Sequence, residues 1–159
     1  MAITLRQKSS ADSQWALRAI ASEWVGPVVV SRGRLHRADC LPGLVAECDG
    51  RPVGLLTYRI SGDELEVVTL QAFEQRSGVG KALLLGARER AAMAGCRRLW
   101  LVTTNDNSAA IAFYLAMGMS LSAVHKGAVA EARRLKPDIP LVGARGIPVE
   151  DEYEFELLL

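Results

Sequence analysis

The 159 residues carry 19 Lys and Arg against 18 Asp and Glu, a formal net charge of +1, with half the residues hydrophobic and 23% charged. Such a balance predicts one folded domain over residues 1–159 with its own core. It excludes bulk electrostatic attraction to nucleic acid or an anionic membrane as the basis of function. The opening "MAITLRQKSSAD" has no apolar run of the signal-peptide kind. Residues 107–124 carry no charged side chain, but they are rich in Ala, Ser and Gly, so they read as helix, turn and strand rather than a membrane span. Three cysteines, Cys40, Cys48 and Cys96, make no disulfide framework and point to a reduced, cytoplasmic protein.

In chain order, "AITLR" alternates as a short strand, and Asp12 is placed to cap a helix from Ser13 to the Gly26-Pro27 break. Leu17, Ile20, Ala21 and Trp24 share one face of that helix. Residues 28–42 are ambiguous: "VVVS" suggests a strand and "RGRLHRADCLPG" a loop. "LVAEC", the Asp49-Gly50 turn and "RPVGLLTYRI" form a hairpin signal, and "ELEVVTLQAF" adds a third strand. "KALLLGARERAAMAG" then reads as a helix capped by Gly95, "RRLWLVTT" as a strand, and "NSAAIAFYLAMG" as a helix ending at Gly118. "SLSAVH", a short helix "AVAEARRLK" and a final strand "EYEFELLL" complete the chain, with Tyr153, Phe155 and Leu157 on one half-buried face. The helix between "ELEVVTLQAF" and "RRLWLVTT" is a crossover, so those strands are expected to be parallel within a mixed α/β sheet.

The stretch "EQRSGVGKAL" joins a strand to a helix. It fails a Walker A pattern, because Gln75 and Ala82 stand where a glycine and a metal-binding hydroxyl are needed. It fails a dinucleotide fingerprint at Leu83. It fits Q/R-x-x-G-x-G/A through Gln75, Gly78 and Gly80. Amides from Arg76 through Ser77 and Val79 to Lys81 would then converge on a diphosphate at a positive helix end. Taken alone, the loop also fits a plain glycine turn.

The loop resembles motif A of the GNAT N-acetyltransferase superfamily. "NSAAIAFYLAMGM" resembles that superfamily's motif B through Asn107, Ala110, Phe113, Tyr114 and Gly118, with Met119 where an aromatic is usual. The element order is similar too, from Gly43 to the end. The resemblance implies a twisted, mostly antiparallel sheet with one parallel pair and helices on both faces. It implies that acetyl-CoA is the co-substrate, bound over residues 64–119 without metal, and that a small-molecule amine or a peptide or protein amino group is the acceptor. Residues 1–42 would form the acceptor side, where the chain departs from the superfamily by having one clear helix. A homodimer is also implied as a possible assembly.

Direct transfer to an amine needs a base, an oxyanion donor and an acid. By the resemblance, Tyr114 is the acid facing the coenzyme sulfur, and Asn107 contacts the pantetheine or diphosphate arm. The main chain of Thr69 to Ala72 pairs with that arm as an added strand, with an oxyanion donor near Leu70. Phe113 and Tyr114 would otherwise be a core aromatic pair, and Asn107 a helix cap. Glu66 is the favoured base, with Glu64 on the same strand face and Asp106 as alternatives. Trp15, Trp24 and Trp100 each read as core, with Trp24 or His36 the alternative candidate to line the acceptor pocket. His36, Cys40 and Cys48 have no metal-site spacing, and His125 reads as a surface residue. The basic cluster Arg32, Arg34 and Arg37 and the acidic run Glu150, Asp151, Glu152, Glu154 and Glu156 read as solvated surface. A coenzyme-binding module without turnover is the rival reading from another functional class.

Overall fold

The computed structural model describes residues 2–73 and 78–159. Its elements are β1 (Thr4–Gln7), α1 (Ser13–Trp24), β2 (Val28–Ser31), β3 (Arg34–Arg37), β4 (Gly43–Cys48), β5 (Arg51–Ser61), β6 (Glu64–Ala72), α2 (Val79–Met93), β7 (Arg98–Thr104), α3 (Ser108–Ala116), β8 (Ser120–His125), α4 (Ala128–Leu135) and β9 (Glu152–Leu158). Seven strands make one sheet in the order β1-β4-β5-β6-β7-β9-β8, and β2 and β3 form a separate hairpin. The β6–β7 pair is parallel, as the crossover requires, and the other pairs are antiparallel.

Local chemistry explains the tight turns. Asp49 and Gly50 both have positive φ, which gives the strand twist needed between β4 and β5. Arg32 and Gly33 do the same between β2 and β3. The segment from Arg32 that reads as a loop is therefore partly a strand. Its alternation is masked because three of the four β3 side chains, two of them arginines, are exposed and only His36 is buried.

Each face of the sheet packs against helices. On one face Leu65, Val67, Leu99, Leu101 and Phe155 meet Val79, Leu83, Leu84, Ala87 and Ala91 of α2. Gly54 lets α2 lie this close, since a Cβ there would fall 2.6 Å from Val79 and 2.9 Å from Leu83 side-chain atoms. The other face is covered by Ala16 and Ile20 of α1, with Val29 and Ala38, over Val45 and Leu55. Trp15, Trp24 and Trp100 are only half-buried, and the buried stripe of α1 centres on Ala16 and Ile20. Full burial of each Leu, Ile or Phe contributes about 1.5–3 kcal/mol, so these two layers supply most of the driving force for folding.

Charged groups tie the elements together more than the sequence suggests. β9 lies between β7 and β8 rather than at an edge. Phe155 is buried in the α2 face, while Glu154 and Glu156 on the other face are ion-paired with Arg98, which also meets Glu64 at 2.9 Å. Arg32 meets Glu152 at 3.0 Å. Arg37 meets Asp39 at 2.8 Å, so much of the acidic run and two members of the basic cluster are paired with protein groups and not merely solvated. Asp12 precedes α1, yet its carboxylate makes no cap bond to the helix. It accepts from Arg6, from the Ser9 amide and from Trp15 Nε1 instead. The bidentate arginine outcompetes a single amide, and it holds the Asp12 carboxyl well below the usual carboxylate range. Lys136, beyond α4, is buried and donates to the carbonyls of Trp24 and Val28, latching α4 to the α1–β2 connection.

Candidate active site

The two parallel strands diverge where the site opens. β6 and β7 pair only from Glu64 with Arg98 to Val67 with Leu101. Beyond that point β6 stays with β5 to Ala72, and β7 stays with β9 to Thr104. A bulge leaves Val68 without a partner on β5 at the place where the strands part. A cleft of about 750 Å³ fills the gap. The ladder alternates so that Gln71 and Phe73 face β5, with the Phe73 amide on the Val53 carbonyl at 2.8 Å. The main-chain groups of Leu70 and Ala72 consequently point into the cleft.

The N-terminus of α2 closes one end. Gly78, at φ 97°, precedes the helix, and the Ala82 amide returns to its carbonyl at 2.9 Å. The amides of Val79, Gly80 and Lys81 therefore have no partner within the helix. No side chain caps that end among the described residues. A Cβ at Gly80 would stand 3.2 Å from the Phe113 ring, so α3 seats directly against the loop. Gly78, Gly80 and Lys81 line the cleft, whereas the Val79 side chain is fully buried in the core. The expectations for Gln75, Arg76 and Ser77 lie outside the described residues.

From the other side α3 brings Asn107 and Tyr114 into the same cleft. Asn107 caps α3, its Oδ1 accepting from the Ala110 amide at 3.2 Å. Tyr114 packs against both Phe113 and Phe155 and also borders the opening, so one side chain is both core aromatic and cleft lining. Burial, with the Glu23 charge, pushes its phenol up to about 12. It remains protonated throughout the neutral range. The residues present fit a coenzyme A-type ligand: exposed helix amides at one end, an open strand edge along the middle, and a proton donor beyond it.

Glu66, Thr69 and Leu70 of β6 line the cleft, as does Asp106, which accepts from Thr104 Oγ1 at 2.5 Å. Glu64 does not; it borders a smaller pocket of about 160 Å³ with Arg59, Ser61 and Trp100, and Glu66 touches both cavities. Glu66 is 3% exposed and sits in a polar knot that the sequence does not announce. Ser31 Oγ donates to Glu66 Oε2 at 2.5 Å, and Ser31 Oγ lies 3.1 Å from His36 Nε2. Burial raises the Glu66 carboxyl, against the opposing pull of the Ser31 bond and of Arg59 and Arg34. The same burial, with Arg59 and Arg34, lowers His36 to about 4.

Trp24 and Ser31 line the cleft, but His36 lies behind Glu66 and outside the lining. Ser31 was not among the sequence candidates. Its only signal is the hydroxyl that ends an apolar run, five residues before a histidine. Cys40 is exposed and Cys48 buried, apart from one another's chemistry. His125 pairs with Glu154 at 3.0 Å at the far edge of the sheet. Among the described residues no group of three His, Cys, Asp or Glu is arranged to hold a metal ion, and no helix is long and apolar enough to cross a membrane.

Comparison with known proteins agrees with this architecture. The family model described as "Acetyltransferase (GNAT) family" matches residues 11–119. The chain is 40% identical over 140 residues to YdhI of Bacillus subtilis (strain 168), itself uncharacterized, covering 87% of this chain and 88% of that protein. An IAA acetyltransferase from Bacillus cereus ATCC 14579 superposes with a TM-score of 0.72 at 18% identity, over 99% of this chain and 100% of that one. A GNAT family acetyltransferase from Elizabethkingia anophelis, solved with acetyl-CoA bound, gives 0.73 at 14% identity, over 99% and 98%. The fold, the diverging strand pair and the family match converge on one conclusion: this chain belongs to the GNAT acetyltransferase family.

Proposed function

We propose that the protein moves an acetyl group from acetyl-CoA directly to a primary amine, of a small molecule or of a peptide or protein. One observation carries the reading: the Leu70 main chain, the α2 amides, Asn107, Tyr114 and Glu66 all face one cleft opened by the parting of β6 and β7. A bound acetyl-CoA would supply the activated thioester. The amides of Gly78 to Lys81, joined by Gln75, Arg76 and Ser77, hold its diphosphate. Thr69 to Ala72 and Asn107 hold the pantetheine arm, and the Leu70 amide donates to the thioester oxygen. Residues 64–119 are thus the coenzyme side, and residues 1–42, with Trp24 and Ser31, the acceptor side.

An alkylammonium, with a pKa of about 10, must lose a proton before it attacks. Glu66 accepts that proton, and the amine nitrogen then forms the new C–N bond as the C–S bond breaks. The Tyr114 phenol gives its proton to the departing sulfur and regains one from the attacking nitrogen, which sheds its second proton to become the amide, while Glu66 releases its proton to solvent. The net change is one amide, one thiol and one released proton. A cytoplasmic location belongs to the same proposal, supported by an odd count of three cysteines with no compact framework. So does pairing of two copies, for which β8 offers an open strand edge.

A library of amines, tested for thiol release from acetyl-CoA, checks the reading. Acceptor-dependent release with one amine class is expected. Coenzyme binding with no release from any amine would leave only a binding module.

A further inference from the structure

Resting on the acetyl-transfer reading, we propose that Ser31 and His36 are positioning residues that fix Glu66 as the proton acceptor, through a one-way hydrogen-bond chain running from His36 Nε2 to Ser31 Oγ to Glu66 Oε2. All three side chains are buried, Ser31 at 8%, His36 at 4% and Glu66 at 3% exposure. A carboxylate only accepts, so at 2.5 Å the single Ser31 proton goes to Glu66. Ser31 Oγ must then accept from His36, which places the imidazole proton on Nε2 across 3.1 Å. Either ring state donates from Nε2, and the depressed His36 pKa makes the donor the neutral Nε2–H tautomer at pH 7. The charges facing the knot are Arg59 of β5, whose Nη1 is 3.9 Å from Glu66 Oε1, Arg34 of β3 and Glu152 of β9.

The polarity of this chain has a chemical consequence. A serine nucleophile activated by histidine needs an imidazole nitrogen that accepts the hydroxyl proton. Here His36 donates to the hydroxyl, so the pair orients Glu66 instead of activating Ser31. Both side chains come from the β2–β3 hairpin and reach β6 across the sheet face, so the hairpin builds the base environment of the acceptor side.

The test has two arms. In the first, independent of turnover, nitrogen NMR of the whole protein without coenzyme reads the His36 tautomer. A neutral ring protonated on Nε2 at pH 7 is expected; a ring protonated on Nδ1 overturns the proposal. The second arm uses the amine found by thiol release and compares Ser31→Ala, Ser31→Thr, His36→Leu and His36→Gln. Removing the Ser31 donor weakens the charged form of Glu66. The acid limb of the kcat/KM profile should therefore move to higher pH in Ser31→Ala, with kcat down on the order of tenfold. Ser31→Thr should restore both, and His36→Gln should retain more activity than His36→Leu because its amide can donate to Ser31. An unmoved acid limb, a loss confined to KM for acetyl-CoA, or an acetyl group trapped on Ser31 overturns the proposal. Calorimetric coenzyme titration confirms that each variant is folded. Should Glu66→Gln keep full activity, the acetyl-transfer assignment of the base fails, while the tautomer result stands by itself.

Discussion

In the proposed reaction a carboxylic acid and a phenol lining one cleft take opposite duties, because their charged forms are both disfavoured. Burial keeps Tyr114 protonated and so able to donate, while it raises Glu66 and so makes it a stronger base once ionised. Tyr114→Phe removes one hydroxyl from an otherwise aromatic contact. It should lower kcat on the order of 10²-fold and leave affinity for acetyl-CoA within about twofold, as read by steady-state kinetics and calorimetry. His36 makes a separate prediction for stability. Folded, it stays neutral down to about pH 4, while the unfolded imidazole takes a proton near 6.5. Its stabilisation is full above 6.5 and is lost as pH falls toward 4. Glu66 acts with the opposite sign: its folded pKa is raised above 4.5, so falling pH through that window adds stability. Comparing wild type with His36→Gln isolates the imidazole. Urea unfolding should have the wild type lose about 3 kcal/mol more than the variant between pH 7 and pH 4.

Two elements depend on contacts that their own sequences do not contain. The start of α2 needs Gly78 at φ 97°, and its first amides, which have no partner within the helix, form the proposed diphosphate cradle. Gly78→Asp adds backbone strain and a like charge. Affinity for coenzyme A should fall by at least about tenfold in a calorimetric titration. The sheet interior depends on Arg98. From β7 it reaches Glu64 of β6 and Glu154 and Glu156 of β9, and its guanidinium lies 5.3 Å from the Trp100 ring. Arg98→Met removes the guanidinium shared by three neighbouring carboxylates, of which Glu154 still has His125 at 3.0 Å and Arg32 at 4.0 Å. The variant should lose about 2–3 kcal/mol of stability in thermal or urea unfolding, and neutral salt should recover part of it.

Over the whole molecule, the cleft is assembled from distant parts of the chain. Trp24 and Ser31 come from the first fifth, Glu66 and Leu70 from the middle, and Glu152 from the last strand. A ligand that bridges these parts favours the folded chain by mass action. Coenzyme at 100 times its dissociation constant adds about 2.7 kcal/mol, so the melting temperature should rise by several degrees in a thermal scan. The Lys136 latch should contribute to that response, because it joins α4 to the α1–β2 connection beside the cleft.

By itself the sequence determined the order of elements, the crossover that makes β6 and β7 parallel, and the two motifs that carry the family resemblance. These are local matters of period, turn residues and glycine spacing, encoded within a few residues of where they act. The third strand, read as loop, escaped because its alternation is hidden by exposed arginines, whereas "VVVS" already suggested the second. Tertiary structure alone decided that β9 enters the sheet interior, that the acidic run pairs with Arg32 and Arg98, and that Ser31 and His36 meet Glu66 thirty residues downstream. Such contacts depend on where strands part and which faces meet. Burial then sets the protonation of Glu66, His36 and Tyr114, and burial is a property of the packed chain, not of any short stretch of it.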